Sequence, residues 1–406
     1  MSDIVLYKIA QAEETLKDKF KSIDDIALYN QKKVLEAFRE HKVATRHFAG
    51  TTGYGYDDIG RDTLCRIYAR VLGAEEAIVS PNIVSGTHAL TIALFSALRP
   101  GDEAVSVTGE PYDTLNDVIY GKNNGSLADY KIRFTVFDQS KKEDYLNYIQ
   151  KRQPKAVFIQ RSRGYTSRNA LSIDEIERII KEIKNISADS ILIVDNCYGE
   201  FTEKREPTEV GADLIAGSLI KNAGGGLAPT GGYIAGKKSA VIQASYRLTS
   251  PSIGNEVGSY EAGYRSFYQG IFYAPHVTAQ ALKGCFLFAE TMRSFGCLAK
   301  PEKDDYAGDI ICSICFDSKE KLIAFVQAVQ RSSPVDSYVT PEPWDMPGYE
   351  NQVIMAAGCF VAGASIELSC DSPIKEPYIA YIQGGLSYEH IKIAVEECAK
   401  SLVNVT

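Results

Sequence analysis

Asp195 closes a short apolar run, Ile191-Leu-Ile-Val194. Lys221 follows the next such run, inside a Ser- and Gly-rich turn that reads Gly217-Ser-Leu-Ile-Lys221-Asn-Ala-Gly-Gly-Gly226. Short apolar runs bounded by turn residues read as buried strands. In open α/β sheets, ligands collect at the carboxyl ends of the strands, and both residues would stand there. A lysine amine among small residues is a candidate Schiff-base nucleophile, because burial disfavours its charged form. A carboxylate at a strand end can keep a pyridine nitrogen protonated, so that the ring draws electrons from a neighbouring carbanion. That pairing is what pyridoxal 5'-phosphate requires.

The cofactor also needs a phosphate cradle. Ser85-Gly86-Thr87 lies between the apolar run Ala77-Ile-Val-Ser80 and a helical pattern over 85–98. A helix N-terminus offers unpaired backbone N–H groups and a positive dipole end. Gly86 permits close approach, Ser85 and Thr87 add hydroxyls, and Ser218 adds another from the lysine turn. Tyr112, after the run 103–107, is placed to stack on a flat ring. Phosphate turn, ring stacker, acid and lysine each follow a different strand. Taken singly, each is an ordinary cap, turn or packed residue; the ordered set is what carries information.

These residues need a sheet to hold them. Apolar runs at 77–80, 103–107, 132–137, 156–160, 190–195, 213–218 and 231–236 alternate with helical patterns such as 172–185. That alternation predicts a mostly parallel α/β sheet with helices on both faces. Helices are expected before it, with Asp24 or Asp25 as an N-cap, and again over 260–292, 319–331 and 388–402. Strand-like runs at 310–316, 365–368 and 378–382 predict a smaller C-terminal α+β domain. The expected division is 1–60, a helical segment with a Gly- and Tyr-rich loop; 61–290, the large domain; and 291–406, the small one.

Composition narrows the function. The 406 residues are 45% hydrophobic and 24% charged, as in soluble globular proteins. A net charge of −8 disfavours nucleic acid and anionic lipid as partners. The N-terminal stretch lacks the apolar core of a signal peptide, and the nine cysteines are odd in number, which fits reduced thiols in a cytoplasmic protein. Cys312 and Cys315 sit in a strand pattern that points them to opposite faces. The five histidines show no metal-ligand spacing, so no catalytic metal is expected.

Further segments carry a likeness. They are Thr51-Thr-Gly-Tyr-Gly-Tyr-Asp-Asp-Ile-Gly-Arg61, Ser80-Pro-Asn-Ile-Val-Ser-Gly-Thr-His-Ala89, Val194-Asp-Asn-Cys-Tyr-Gly-Glu-Phe201, Pro373-Ile-Lys-Glu-Pro-Tyr378 and Gln383-Gly-Gly-Leu-Ser-Tyr-Glu-His390. With the lysine turn, they make the chain resemble the fold-type I pyridoxal-phosphate enzymes. Within that group it resembles the methionine gamma-lyase-like, aluminium-resistance family of cystathionine beta-lyase-like carbon–sulfur lyases. The resemblance implies Lys221 as the cofactor-bearing lysine, Asp195 as the ring-nitrogen partner and Tyr112 as the stacker, with Ser85, Gly86, Thr87 and Ser218 at the phosphate. It implies that the loop carrying Tyr56 reaches a neighbouring subunit's site in a homodimer or homotetramer. Arg61 would stand in for an arginine the family carries nearer Tyr56. Ile220 replaces the usual hydroxyl before the lysine. For the carboxylate of a small amino-acid substrate, the candidates are Arg163, after the strand ending at Gln160, and Lys375, in a segment that usually carries arginine. The implied activity is β- or γ-elimination from a sulfur amino acid such as cystathionine or methionine. The same residues suit transamination, racemisation or decarboxylation, and a catalytically weak metabolite-binding relative is a further alternative.

Overall fold

The computed structural model describes residues 2–164, 168–346 and 351–404. Two N-terminal helices, α1 (Ser2–Thr15) and α2 (Lys17–Glu40), precede α3 (Ile59–Val71). Asp24 and Asp25 lie inside α2 and cap nothing; Asp24 instead pairs with Lys283 at 2.8 Å. The expected break is absent because Ile23, Asn30, Val34 and Ala37 form one buried stripe along a continuous helix.

The large sheet contains β1 (Glu76–Ser80), β2 (Glu103–Ser106), β3 (Arg133–Val136), β4 (Ala156–Gln160), β5 (Ile191–Asp195), β6 (Leu214–Ser218) and β7 (Gly232–Gly236). Its spatial order is β1-β7-β6-β5-β4-β2-β3, and only β7 runs antiparallel to its neighbours. The connecting helices are α4 (Gly86–Ala97), α5 (Asn116–Tyr120), α6 (Lys142–Arg152), α7 (Ile173–Ile186) and α8 (Lys238–Leu248). β5 shows why both faces are covered: Leu192 and Val194 enter one hydrophobic core, and Ile193 the other. α7 is set by its sequence. Ser172 and Glu175 form a capping box, and Ile173, Ile176, Ile179, Ile180 and Ile183 make its buried stripe.

α9 (Arg265–Ser294) spans the two parts of the molecule. Its Phe267, Tyr268 and Ile271 lie in the core of the large sheet, and Val277, Leu282 and Phe288 in a second core. That second core lies against an antiparallel sheet of β8 (Leu298–Lys300), β9 (Ile311–Phe316), β10 (Val353–Ala356), β11 (Ser369–Pro373) and β12 (Tyr378–Gln383), in the order β10-β11-β12-β9-β8. α10 (Lys319–Arg331) and α11 (Tyr388–Asn404) pack there, and Val5, Ile9 and Leu16 bring the N-terminal helix into the same core. Residues 365–368 form turns where a strand is expected, because the Glu367 carboxylate accepts the Phe360 and Val361 amides at 2.9 Å and folds the segment back. The strand starts just after, at Ser369. β8 and β10 are short and were not legible in the pattern. Cys312 is in the second core, and Cys315 lies on the other face of β9. No helix among the described residues is long and apolar enough to cross a membrane.

The lysine turn is seated on α9 through glycines. A Cβ on Gly270 would run into the Gly224 carbonyl, and Gly225 has φ +56 and faces the Gly270 carbonyl. Gly270→Ala is therefore expected to lower the unfolding free energy by about 1–3 kcal/mol. A thermal melt checks this, and an unchanged midpoint would contradict the seating.

Candidate active site

β1, β2, β4, β5 and β6 all run the same way, so the segments that follow them meet along one edge of the sheet. A cavity of about 320 Å³ opens there. Ser85, Gly86, Thr87, Tyr112, Asp195, Ser218 and Lys221 all line it. They arrive from four strand ends, those of β1, β2, β5 and β6, as an α/β sheet arranges its ligand sites.

Asp195 is buried, and its Oδ1 accepts the Cys197 amide at 3.1 Å. Lys221 lines the cavity, and its amine lies 4.0 Å from the centre of the Tyr198 ring. Tyr198 holds φ +69, stabilised from both ends. Its carbonyl accepts Asn222 Nδ2 at 2.9 Å, and its hydroxyl lies 2.8 Å from Ser365 Oγ, across from the second sheet.

Burial pushes the Asp195 carboxyl above the usual carboxylate range, against the pull of Lys221. At Lys221, burial favours the neutral amine, but Cys197, Tyr198 and Asp195 outweigh it and hold the group above the ordinary lysine range. Burial also raises the Cys197 thiol and the Tyr198 phenol, so both are neutral near pH 7. Of the three, the Asp195 carboxyl is the one that ionises most readily, and its charge draws a proton toward the Lys221 amine. Burial thus acts on the amine in the expected direction, and its acidic neighbours oppose it.

The start of α4 makes a small concave seat. Ser85 Oγ accepts the His88 amide at 3.0 Å, which leaves the first N–H groups of the helix directed outward. The Cβ position of Gly86 looks onto Ser218 Cβ at 3.4 Å and Cys197 Sγ at 3.5 Å, so the helix start packs against the lysine turn and the segment after Asp195. Such a cradle fits a phosphate. Tyr112 is held in the wall by its amide, which donates to Gln160 Oε1 at 2.9 Å.

The other sequence candidates lie elsewhere. Arg163 does not line the cavity; its amide and Nε donate to Asp309 Oδ2 at 2.9 and 3.2 Å. Lys375 sits exposed in the turn between β11 and β12. Tyr56 is exposed beside Tyr54. Arg61 is buried, its Nη1 donating to the Gly55 carbonyl at 3.0 Å and its Nε to Asp62 at 2.9 Å, away from the cavity of its own chain. The sequence reading did not single out Tyr198, although it stands three residues after Asp195 in the same post-strand turn. It also missed the wall from the second sheet, with Met355, Cys359, Ser365, Asp371 and Gln383.

Behind the site, Glu200 is fully buried and accepts the Tyr233 hydroxyl at 2.7 Å. Burial raises its carboxyl from the ordinary 4.5 to about 8. The folded state thus binds this proton more tightly than the unfolded chain does. The group's contribution is most favourable below 4.5 and is lost as pH climbs through about 8. Glu200→Gln is expected to flatten the fall in melting temperature between about pH 5 and about pH 9. A profile parallel to that of the wild type would contradict it.

The sequence matches the family described as methionine gamma-lyase over residues 5–403. The uncharacterized Bacillus subtilis protein YnbB is 50% identical over 400 residues, which are 97% of this chain and 95% of YnbB. A solved Clostridium novyi structure, described as a carbon-sulfur lyase involved in aluminum resistance, matches with a TM-score of 0.94 and 50% identity, over 99% of this chain and 96% of that one. A Listeria monocytogenes structure, provisionally described as a cystathionine beta-lyase involved in aluminum resistance, gives 0.94 and 50%, covering 98% and 100%. The Escherichia coli pyridoxal-5'-phosphate dependent protein YhfS shares the fold, with a TM-score of 0.64 at 15% identity over 93% and 97%.

Proposed function

Because this chain belongs to the methionine gamma-lyase family, we propose that it is a pyridoxal 5'-phosphate-dependent carbon–sulfur lyase acting on a sulfur amino acid. The observation that carries this reading is the convergence of Lys221, Asp195 and the α4 cradle on one cavity. Ser85, Gly86, Thr87 and Ser218 would take the phosphate, Tyr112 would lie against the ring, Asp195 would accept from the ring nitrogen, and Lys221 would hold the aldehyde carbon. When bound, the cofactor supplies an electron sink for the charge left by departure of the substrate's α-proton.

The chain's own residues manage the protons. Lys221 is the one cationic side chain among the described residues that line the cavity. Burial favours its neutral amine, and engaging the Asp195 charge elsewhere removes one pull toward the ammonium. Lys221 Nζ then takes the α-proton and is placed to return one as the thiolate leaves the β- or γ-carbon. Asp195, shielded from water, keeps its acceptor lone pair directed into the cavity. Cys197 and Tyr198, both neutral, pack around the amine and exclude water from it.

The exposed Tyr54 and Tyr56 rings, 5.5 Å apart on the loop before α3, support self-association through that loop. Sizing in solution is expected to give a dimer or tetramer, and a monomer at working concentration would overturn that part. For the chemistry, the purified protein is expected to be yellow and to release thiol from cystathionine or methionine. Lys221→Ala should lose the colour and slow thiol release roughly a hundredfold or more. A colourless wild type that liberates no thiol would overturn the reading.

A further inference from the structure

Beneath the lysine turn lies a buried acid that the proton transfers described above do not use. Glu200 stands in the segment that follows Asp195, and a Cβ on Gly217 would come within 2.7 Å of its Oε1. The carboxyl thus lies against β6, the strand that leads into Lys221. Oε1 accepts the Tyr233 hydroxyl, and beyond it Asn196, Glu206 and Arg161 continue a buried hydrogen-bonded chain. Oε2 is buried and has no hydrogen-bond partner among the described residues.

Asn222, the residue after Lys221, holds a matching orphan. Its Nδ2 uses both hydrogens, one on the Tyr198 carbonyl at 2.9 Å and one on the Glu200 carbonyl at 3.1 Å. That fixes which end of the amide is oxygen. Its Oδ1 is buried and also has no partner among the described residues. Two buried acceptors on neighbouring side chains, each without a donor, are costly as they stand. One proton on the carboxyl removes the deficit at both, because a protonated acid has a hydrogen to give. The surroundings favour that proton. Burial raises the carboxyl and Glu206 adds to the rise, while the Tyr233 hydroxyl, the residue's own amide and Lys221 oppose them, and the proton is held up to about 8. Burial raises the other titratable groups that feel this acid, Tyr68 on α3, Tyr233 on β7 and Cys197, so they stay neutral there. Arg161 is already paired with Glu203 and Glu206.

We propose that Glu200 is a positioning residue for the lysine: its carboxyl carries a hydrogen on Oε2, donates it to Asn222 Oδ1 and so fixes the turn in which Lys221 stands. Asn222 in turn holds the Tyr198 carbonyl, and the Tyr198 ring lies against the Lys221 amine. Once the proton leaves, two acceptors oppose each other, the Asn222 amide turns, and the hold on Tyr198 is lost. The first test reads the proton itself on the protein as purified. Infrared difference spectra of wild type against Glu200→Gln at neutral pH are expected to show the carbonyl stretch of a hydrogen-bonded carboxylic acid. Asn222→Ala, or Asn222→Ser if that variant does not fold, should move the band to the frequency of a free acid. No such band, or a band that the Asn222 variant leaves in place, would overturn the proposal. The second test rests on the pyridoxal-phosphate reading. Wild type should hold the cofactor roughly fivefold more weakly once pH has risen past about 8, the effect of one lost hydrogen bond. Glu200→Gln keeps a donor in place at every pH and should lack that part of the loss, whereas Glu200→Leu should bind weakly on both sides of it, with a thermal melt to verify folding of each. The same pH dependence in wild type and Glu200→Gln would remove the positioning role. A protein that shows the band but takes up no cofactor would sink the lyase reading and leave the hydrogen bond between Glu200 and Asn222 standing.

Discussion

A buried carboxyl group and a partly buried lysine face one cavity, and the rest of the molecule is arranged around that fact. Asp195 is buried at the end of one strand, and Lys221 follows the adjacent one. Taking either charge out of water alone is costly, so each stabilises the other's ionised form. The pair is also a store of reactivity. Whatever engages the carboxylate also weakens its pull on the lysine proton, so one binding event bears on both the electronics of a ring and the basicity of the amine.

The fold serves that pair by direction and by close approach. Five strands of the large sheet end on the same edge, and each delivers one part of the site there. Glycines in the lysine turn and on α9 allow backbone to lie where a side chain would intrude. α9 belongs to both cores, so the wall from the second sheet is held in register with the lysine turn. Tyr198, with its carbonyl on the lysine turn and its hydroxyl at Ser365, ties the two walls directly.

Much of this was legible in the sequence, for physical reasons. Strands buried on both faces are continuous apolar runs, so 156–160 and 191–195 stand out, and the residues just after them are marked as site candidates by topology alone. The α7 stripe and capping box are equally plain. What was not legible depends on tertiary partners. Arg163 looks like a carboxylate ligand until Asp309, far along the chain, takes up its amide and Nε. Asp371 and Gln383 look unremarkable until the antiparallel pairing of β11 and β12 brings them together at the cavity. The acidic neighbours that oppose burial at Lys221 are likewise brought beside it only by the fold. Strand β10 was missed because four apolar residues beyond a proline-rich stretch carry little periodicity.

The account depends most on Lys221 being the point at which the cofactor is tethered. Reducing the native holoprotein with borohydride and mapping the labelled peptide by mass spectrometry tests this directly. The prediction is a pyridoxyl group on Lys221 and on no other lysine. A label on a different lysine, or a protein that takes up no cofactor at all, would contradict it.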